Sequence, residues 1–115
     1  MFWLNGKPAE TIPLDDRGLH YGDGCFTTAR CVQGKIDHLE AHLNRMQTAC
    51  EQLLIGNVNW TVWRDEFLFV ARSAGDGFVK AIITRGSGGR GYSIAGADQP
   101  RRIFTNGPLP PQYSQ

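Results

Sequence analysis

The chain reads as an α+β domain: an antiparallel sheet of about five or six strands with two helices packed against one face. Three observations predict it. Short β-prone segments near the N-terminus are joined by the turn dipeptides Asn5-Gly6 and Gln33-Gly34. Residues 38–53 and 60–74 carry apolar side chains at helical spacing. Residues 78–84, FVKAIIT, form the strongest strand signal in the chain. Two amphipathic helices need an apolar layer to cover, and the strands supply one.

Residues 1–4 are apolar and aromatic, and Asn5-Gly6 is the dipeptide that best fits a type I′ hairpin turn. Residues 7–14 return across that turn, with Pro8 and Pro13 confining the strand to an edge or to its ends. Residues 15–30, DDRGLHYGDGCFTTAR, follow as a polar, glycine-broken turn that passes directly into a β-prone run. Gly18, Gly22 and Gly24 permit positive φ or close approach to a ligand, and Asp15, Asp16, Arg17, His20 and Tyr21 supply polar ends. Taken alone, the stretch is either a functional loop or a hairpin connection whose glycines merely turn the chain. Residues 25–32 suit a strand, which Gln33-Gly34 turns onto a short partner at Lys35 and Ile36.

Asp37 stands as an N-cap with Glu40 three residues on, a capping-box spacing that stabilises a helix start by about 1 kcal/mol. Leu39, Leu43, Met46, Cys50 and Leu53 form one apolar stripe, and Gly56 is the expected stop. Ala41 and Ala49 flank Arg45 on a neighbouring face. That leaves room to bury Arg45 up to its guanidinium and offer one fixed cation to an anion; a solvated surface arginine is the alternative. His38 and His42 share a side of this helix, but no glutamate is interposed and no third ligand suggests itself, so no metal site is expected.

Asn59 can cap a second helix whose apolar face holds Trp60, Trp63, Phe67 and Val70. Gly75-Asp76-Gly77 turns that helix into the strand at residues 78–84, expected to be central. The strand empties into RGSGGRGY, residues 85–92. Gly86, Gly88 and Gly91 match G-x-G-x-x-G, yet no helix opens on the last glycine and no acidic residue follows at the required distance, so dinucleotide binding is rejected. Walker A fails as well, because no Lys-Ser or Lys-Thr closes the loop. An anion-binding nest flanked by Arg85 and Arg90, or a flexible hairpin, remains. Residues 101–105, RRIFT, give a last strand, after which Pro108, Pro110 and Pro111 read as a linker. The expected division is a domain at 1–107 and a linker at 108–115.

Composition narrows the function. At 115 residues the chain is one domain, with 41% hydrophobic and 20% charged residues and a formal net charge of +1. That balance lacks the clustered basic excess of a nucleic-acid binder. No apolar run approaches the roughly 20 residues needed to span a bilayer, and no secretory signal opens the chain, so a cytoplasmic location with no membrane partner is expected. Cys25, Cys31 and Cys50 are odd in number and form no C-x-x-C pair, so they read as free thiols; Cys25 adjoins the glycine loop, but no pattern marks it as a nucleophile.

Asn5-Gly6, DRGLHYGDGCFTTAR, AHLNRMQTAC and ITRGSGGRGYS occur in that order across the chain. Together they resemble the N-terminal domain of the fold-type IV, class IV aminotransferase-like enzymes that use pyridoxal 5′-phosphate (PLP), and within these the bacterial aminodeoxychorismate lyases. GDGCFTTAR and the last motif favour the lyases over branched-chain or D-amino acid aminotransferases, which stay the alternative, as does a non-catalytic dimerisation module. The resemblance implies that Arg45 binds the cofactor phosphate. It places Tyr21, Thr28, Arg30, Arg85 and Arg90 at the substrate, and it implies a small-molecule substrate and a homodimer. The family's lysine, which holds the cofactor covalently and moves the proton, belongs to a C-terminal domain; Lys7, Lys35 and Lys80 match no such position. The chain is thus expected to be a domain of a longer folate-pathway enzyme that forms 4-aminobenzoate and pyruvate, inactive alone and dependent on its own C-terminal domain.

Overall fold

The computed structural model describes residues 1–91 and 93–109. Strands β1 (Phe2–Leu4), β2 (Lys7–Pro8), β3 (Gly24–Val32), β4 (Lys35–Ile36), β5 (Gly77–Thr84) and β6 (Arg101–Gly107) form one antiparallel sheet in the order β2-β1-β6-β5-β3-β4. Both hairpin turns form as their dipeptides predict. Asn5 and Gly6 take φ of 51° and 87°, and Gln33 and Gly34 take 52° and 75°, the left-handed pairs that match strand twist. β5 lies between β6 and β3, as expected of the most apolar run.

Strand alternation divides the sheet into two faces. Ala29 and Cys31 of β3, Val79, Ala81 and Ile83 of β5, Phe104 of β6 and Trp3 of β1 are buried on one face. Helices α2 (Leu39–Leu53) and α3 (Trp60–Ala74) cover it, contributing Met46, Cys50, Trp63, Phe67, Val70 and Ala71. Trp63 and Phe67 meet edge-on at 5.0 Å between centroids, and both lie against Phe104. The other face has no helix on it among the described residues. There Phe26, Thr28 and Arg30 are exposed, opposite half-buried Ile82, Lys80 and Phe78 of β5.

The strand expected at residues 7–14 stops at Pro8, and four further local expectations are corrected. A third helix, α1 (Arg17–Tyr21), occupies what reads as a plain turn. The Asp16 carboxylate accepts from the Gly18 N–H at 2.7 Å to start it, and Gly22 at φ 63° ends it. The cap of α2 is His38, at φ 57° with no side-chain capping bond, and not Asp37. The Asp37 N–H instead donates to Arg30 O at 2.9 Å, extending the β3–β4 ladder, so the chain must reverse at His38 before it can coil. α2 ends on Leu54 at φ 58°, two residues ahead of Gly56. β6 continues past Thr105 to Gly107 because Asn106 and Gly107 still pair with Val79 and Phe78. Asn59 caps α3 as expected, accepting from the Val62 N–H at 3.1 Å. Pro110 and Pro111 of the expected linker lie outside the described residues.

Candidate active site

β3 begins, β5 ends and β6 begins at one end of the sheet, where two loops meet: residues 13–24 and residues 85–100. Two carboxylates, one buried and one half-buried, join them. Asp16, fully buried, caps α1 with Oδ1, while its Oδ2 accepts from Thr84 Oγ1 and Arg101 Nη1, each at 2.8 Å. Asp23 Oδ2 accepts from Arg17 Nε at 2.9 Å and from Arg85 Nε at 2.8 Å. Burial opposes ionisation of Asp23, but hydrogen bonds from Arg85 and Arg17 and their charges outweigh it and hold its carboxyl below the usual range. At the rim, Ser87 Oγ donates to Asp15 at 2.7 Å and receives a bond from Arg101 Nη1 at 2.8 Å.

Arg85 belongs to this frame and not to its surface. It is 5% exposed, its Nη1 donates to Leu54 O at 3.0 Å, and its Nη2 donates to Leu53 O. Those carbonyls end α2, so the guanidinium also complements the negative end of that helix. Nε, Nη1 and Nη2 of Arg85, which is expected at the substrate, are all committed inward, and the residue is a strut between α2 and the loops. The glycine loop is likewise a braced turn and not a loose hairpin. Arg17 Nη1 and Nη2 donate to Gly88 O at 3.2 Å and Gly91 O at 2.8 Å, and the Arg17 N–H donates to Gly86 O at 2.8 Å.

The frame leaves two expected residues outward. Tyr21 is 46% exposed, with its ring 4.6 Å from the Arg17 guanidinium carbon. Arg90 is exposed on the glycine loop, where its backbone pairs with Ser93. Thr28 and Arg30 lie further along β3, on the open face. Lys80 stands directly across from Thr28, with its Nζ 4.6 Å from the centre of the Phe26 ring. Lys80 and Phe26 share that face with Thr28 and Arg30 because even positions of β3 and β5 must share a face once those strands pair, a placement that the sequence reading does not anticipate. Arg17 and Asp16 read in the sequence only as polar loop ends, and Asp23 carries no reading there; an aspartate pair beside arginine, with Arg85 and Arg101 downstream, is the available signal.

Arg45 stands apart, on α2. It is exposed, so the flanking alanines do not sheathe it, and among the described residues it makes no hydrogen bond or ion pair. Its turn of α2 is fixed to β3 by His42, whose Nδ1 shares a 2.6 Å hydrogen bond with the buried Thr27 hydroxyl. Burial, the Arg45 charge and His38 all push the His42 pKa down, so this imidazole stays neutral at ordinary pH. An uncommitted guanidinium fork has the chemistry to hold a phosphate monoester. No lysine accompanies it on α2; Lys80 is on the sheet face that α2 does not cover. The expected residues thus gather as Tyr21 and Arg90 on the loops and as Thr28 and Arg30 on the sheet, with Arg45 separate.

Residues 24–115 match the family model for amino-transferase class IV. An aminodeoxychorismate lyase from Vibrio harveyi is 39% identical over 98% of this chain, which spans 42% of that protein. A crystal structure of 4-amino-4-deoxychorismate lyase from Pseudomonas aeruginosa superposes with a TM-score of 0.90 at 40% identity, covering 96% of this chain and 40% of that one. A hypothetical aminotransferase from Mycobacterium tuberculosis, in its PLP-bound form, shares the fold at a TM-score of 0.80 and 21% identity, over 97% of this chain and 40% of its own. The match over residues 24–115, which takes in β3, both helices, the glycine loop and β6, makes the chain a member of the amino-transferase class IV family.

Proposed function

We propose that this chain is the N-terminal domain of a PLP-dependent lyase that converts 4-amino-4-deoxychorismate into 4-aminobenzoate and pyruvate. The observation that carries this reading is the likeness to the Pseudomonas aeruginosa lyase, at 40% identity and a TM-score of 0.90 over 96% of the chain. The substrate bears two carboxylates, and the open sheet face and the loops present Arg30, Lys80 and Arg90 as cations for such a ligand. Tyr21, Thr28 and Phe26 orient the ring by hydrogen bonding and packing. Arg45 holds the cofactor phosphate with its uncommitted guanidinium fork. When bound, PLP supplies an electron sink for the elimination.

The lysine that holds the cofactor and carries the proton comes from the C-terminal domain, so this chain binds and orients but does not turn over substrate alone. The complete enzyme is a cytoplasmic homodimer in which Tyr21 and Arg90 help close the site at the subunit interface. No helix among the described residues is long and apolar enough to cross a membrane. An aminotransferase of the same family is the alternative, favoured by the 26% identity to a putative branched-chain-amino-acid aminotransferase from Methanocaldococcus jannaschii.

The test is an assay of the natural polypeptide that contains this chain together with the lysine-bearing domain. Pyruvate and 4-aminobenzoate released in equal amounts are expected. Transamination of 2-oxo acids without pyruvate release would replace the lyase reading with the aminotransferase one. A natural polypeptide without such a lysine would leave only the dimerisation module.

A further inference from the structure

Arg17 is 3% exposed, and its guanidinium is committed in several directions at once. Nε donates to Asp23, Nη1 to Gly88 O and Nη2 to Gly91 O, and the Tyr21 ring lies 4.6 Å from the guanidinium carbon. With the Arg17 backbone N–H bound to Gly86 O at 2.8 Å, one residue grips the glycine loop at three carbonyls. That loop is costly to order. Gly86, Gly88, Gly89 and Gly91 take φ of 89°, 114°, 71° and 56°, and glycine has more backbone freedom to lose than any other residue. The described loop has few fasteners of its own, chiefly the paired bonds between Arg90 and Ser93 at 3.2 and 2.9 Å. A β-carbon added to Gly89 would come within 3.1 Å of Arg17 Nη1, so the loop also lies tightly against the side chain that grips it.

Arg90 sits between Gly89 and Gly91, inside the gripped segment, and Tyr21 is on the helix that Arg17 begins. A planar fork can serve a carboxylate and two carbonyls while stacking on a ring; a lysine ammonium is a point donor and cannot. We propose that Arg17 is the positioning residue that sets Tyr21 and Arg90 relative to each other, holding both substrate-facing groups in register without touching substrate itself. This inference rests on the substrate roles given above to Tyr21 and Arg90. Asp23 is part of the device, because it neutralises Arg17 and ties it to Arg85 and so to the end of α2.

Two variants in the natural polypeptide test it, Arg17→Lys and Arg17→Gln, the first keeping the charge beside Asp23 and the second keeping an uncharged amide donor near the position of Nε but reaching no loop carbonyl. Amide hydrogen exchange is read first. Faster exchange confined to residues 86–93 and to α1, with β3 and β5 unchanged, is expected for both variants. Unchanged loop exchange, or loosening spread through the sheet, would overturn the inference and leave Arg17 as a general structural residue. Kinetics are then measured with whichever amino substrate the unsubstituted enzyme turns over, so an aminotransferase outcome leaves this test intact. A KM raised about tenfold or more is expected, with kcat within about threefold and cofactor half-saturation unaltered, the pattern of lost substrate binding. A loosened loop with unchanged KM overturns the proposal. An unsubstituted protein that turns over neither substrate class removes the preceding reading and this inference with it, while loop-confined exchange would still show Arg17 as a clamp.

Discussion

Replacing Asp23 by asparagine removes the carboxylate that two guanidinium groups share. The side chains of Asp23, Arg17 and Arg85 are 12%, 3% and 6% exposed, so solvent does little to compensate. A hydrogen bond to a charged group contributes about 1.5–3 kcal/mol, and breaking a buried pair costs about 3–5 kcal/mol; because asparagine keeps one acceptor, a loss of about 2–4 kcal/mol is expected. At roughly 4 °C per kcal/mol for a domain of this size, Tm should fall by about 8–16 °C at pH 7. The pH dependence has a definite sign. The folded carboxyl of Asp23 lies below its ordinary 3.8, so its stabilisation is complete above that value and is lost as pH falls through the depressed folded pKa. Thermal melts of the unsubstituted protein and the Asp23→Asn variant, followed by circular dichroism, should therefore converge on acidification below about pH 4. A Tm difference under about 3 °C at pH 7, or one that widens in acid, would refute the shared-carboxylate account.

Three further outcomes follow from the same structure. Asn59→Ala removes the cap of α3 and should cost about 1 kcal/mol in chemical denaturation, since the Val62 N–H loses its acceptor. Gly24→Ala drives a β-carbon into the Ile83 carbonyl across the β3–β5 ladder and should destabilise far more than Gly22→Ala. At Gly22, φ is +63° but nothing lies within 4 Å, so only the left-handed backbone resists, and comparative melts will rank the two. Native-state alkylation should label Cys25 first. The Cys50 thiol 3.7 Å away lowers the Cys25 pKa against the effect of burial, whereas Cys50 is pushed up by that same bond and Cys31 is pushed up by burial; peptide mass mapping reads the order.

Periodicity made the layers legible before any coordinates. Asn5-Gly6, Gln33-Gly34 and Asn59 each did locally what their chemistry dictates, and residues 78–84 became the central strand because their apolar content suits burial between two neighbours. The misreadings share a cause, which is partnership across long sequence separations. Asp37 looked like a cap until its N–H was claimed by Arg30, a contact that exists only once β3 and β4 pair. Residues 15–24 looked like a turn because the helix there is only five residues long and is held by Thr84 and Arg101, more than sixty positions away. Burial of Arg85 against Asp23 and the end of α2 gives it a task that no local pattern encodes. Lys80 matches no covalent-lysine position, and its place opposite Thr28 is a property of strand register that no local pattern shows.

If this chain contributes holding groups to a site whose covalent chemistry comes from another domain, as proposed, removing Arg45 must weaken cofactor binding. In the natural polypeptide, Arg45→Ala should raise the PLP concentration for half-maximal activity by about 10–100-fold, the equivalent of about 1.5–3 kcal/mol for lost charge-assisted bonds, while the rate at saturating cofactor stays within about threefold. Unchanged cofactor half-saturation would contradict the account.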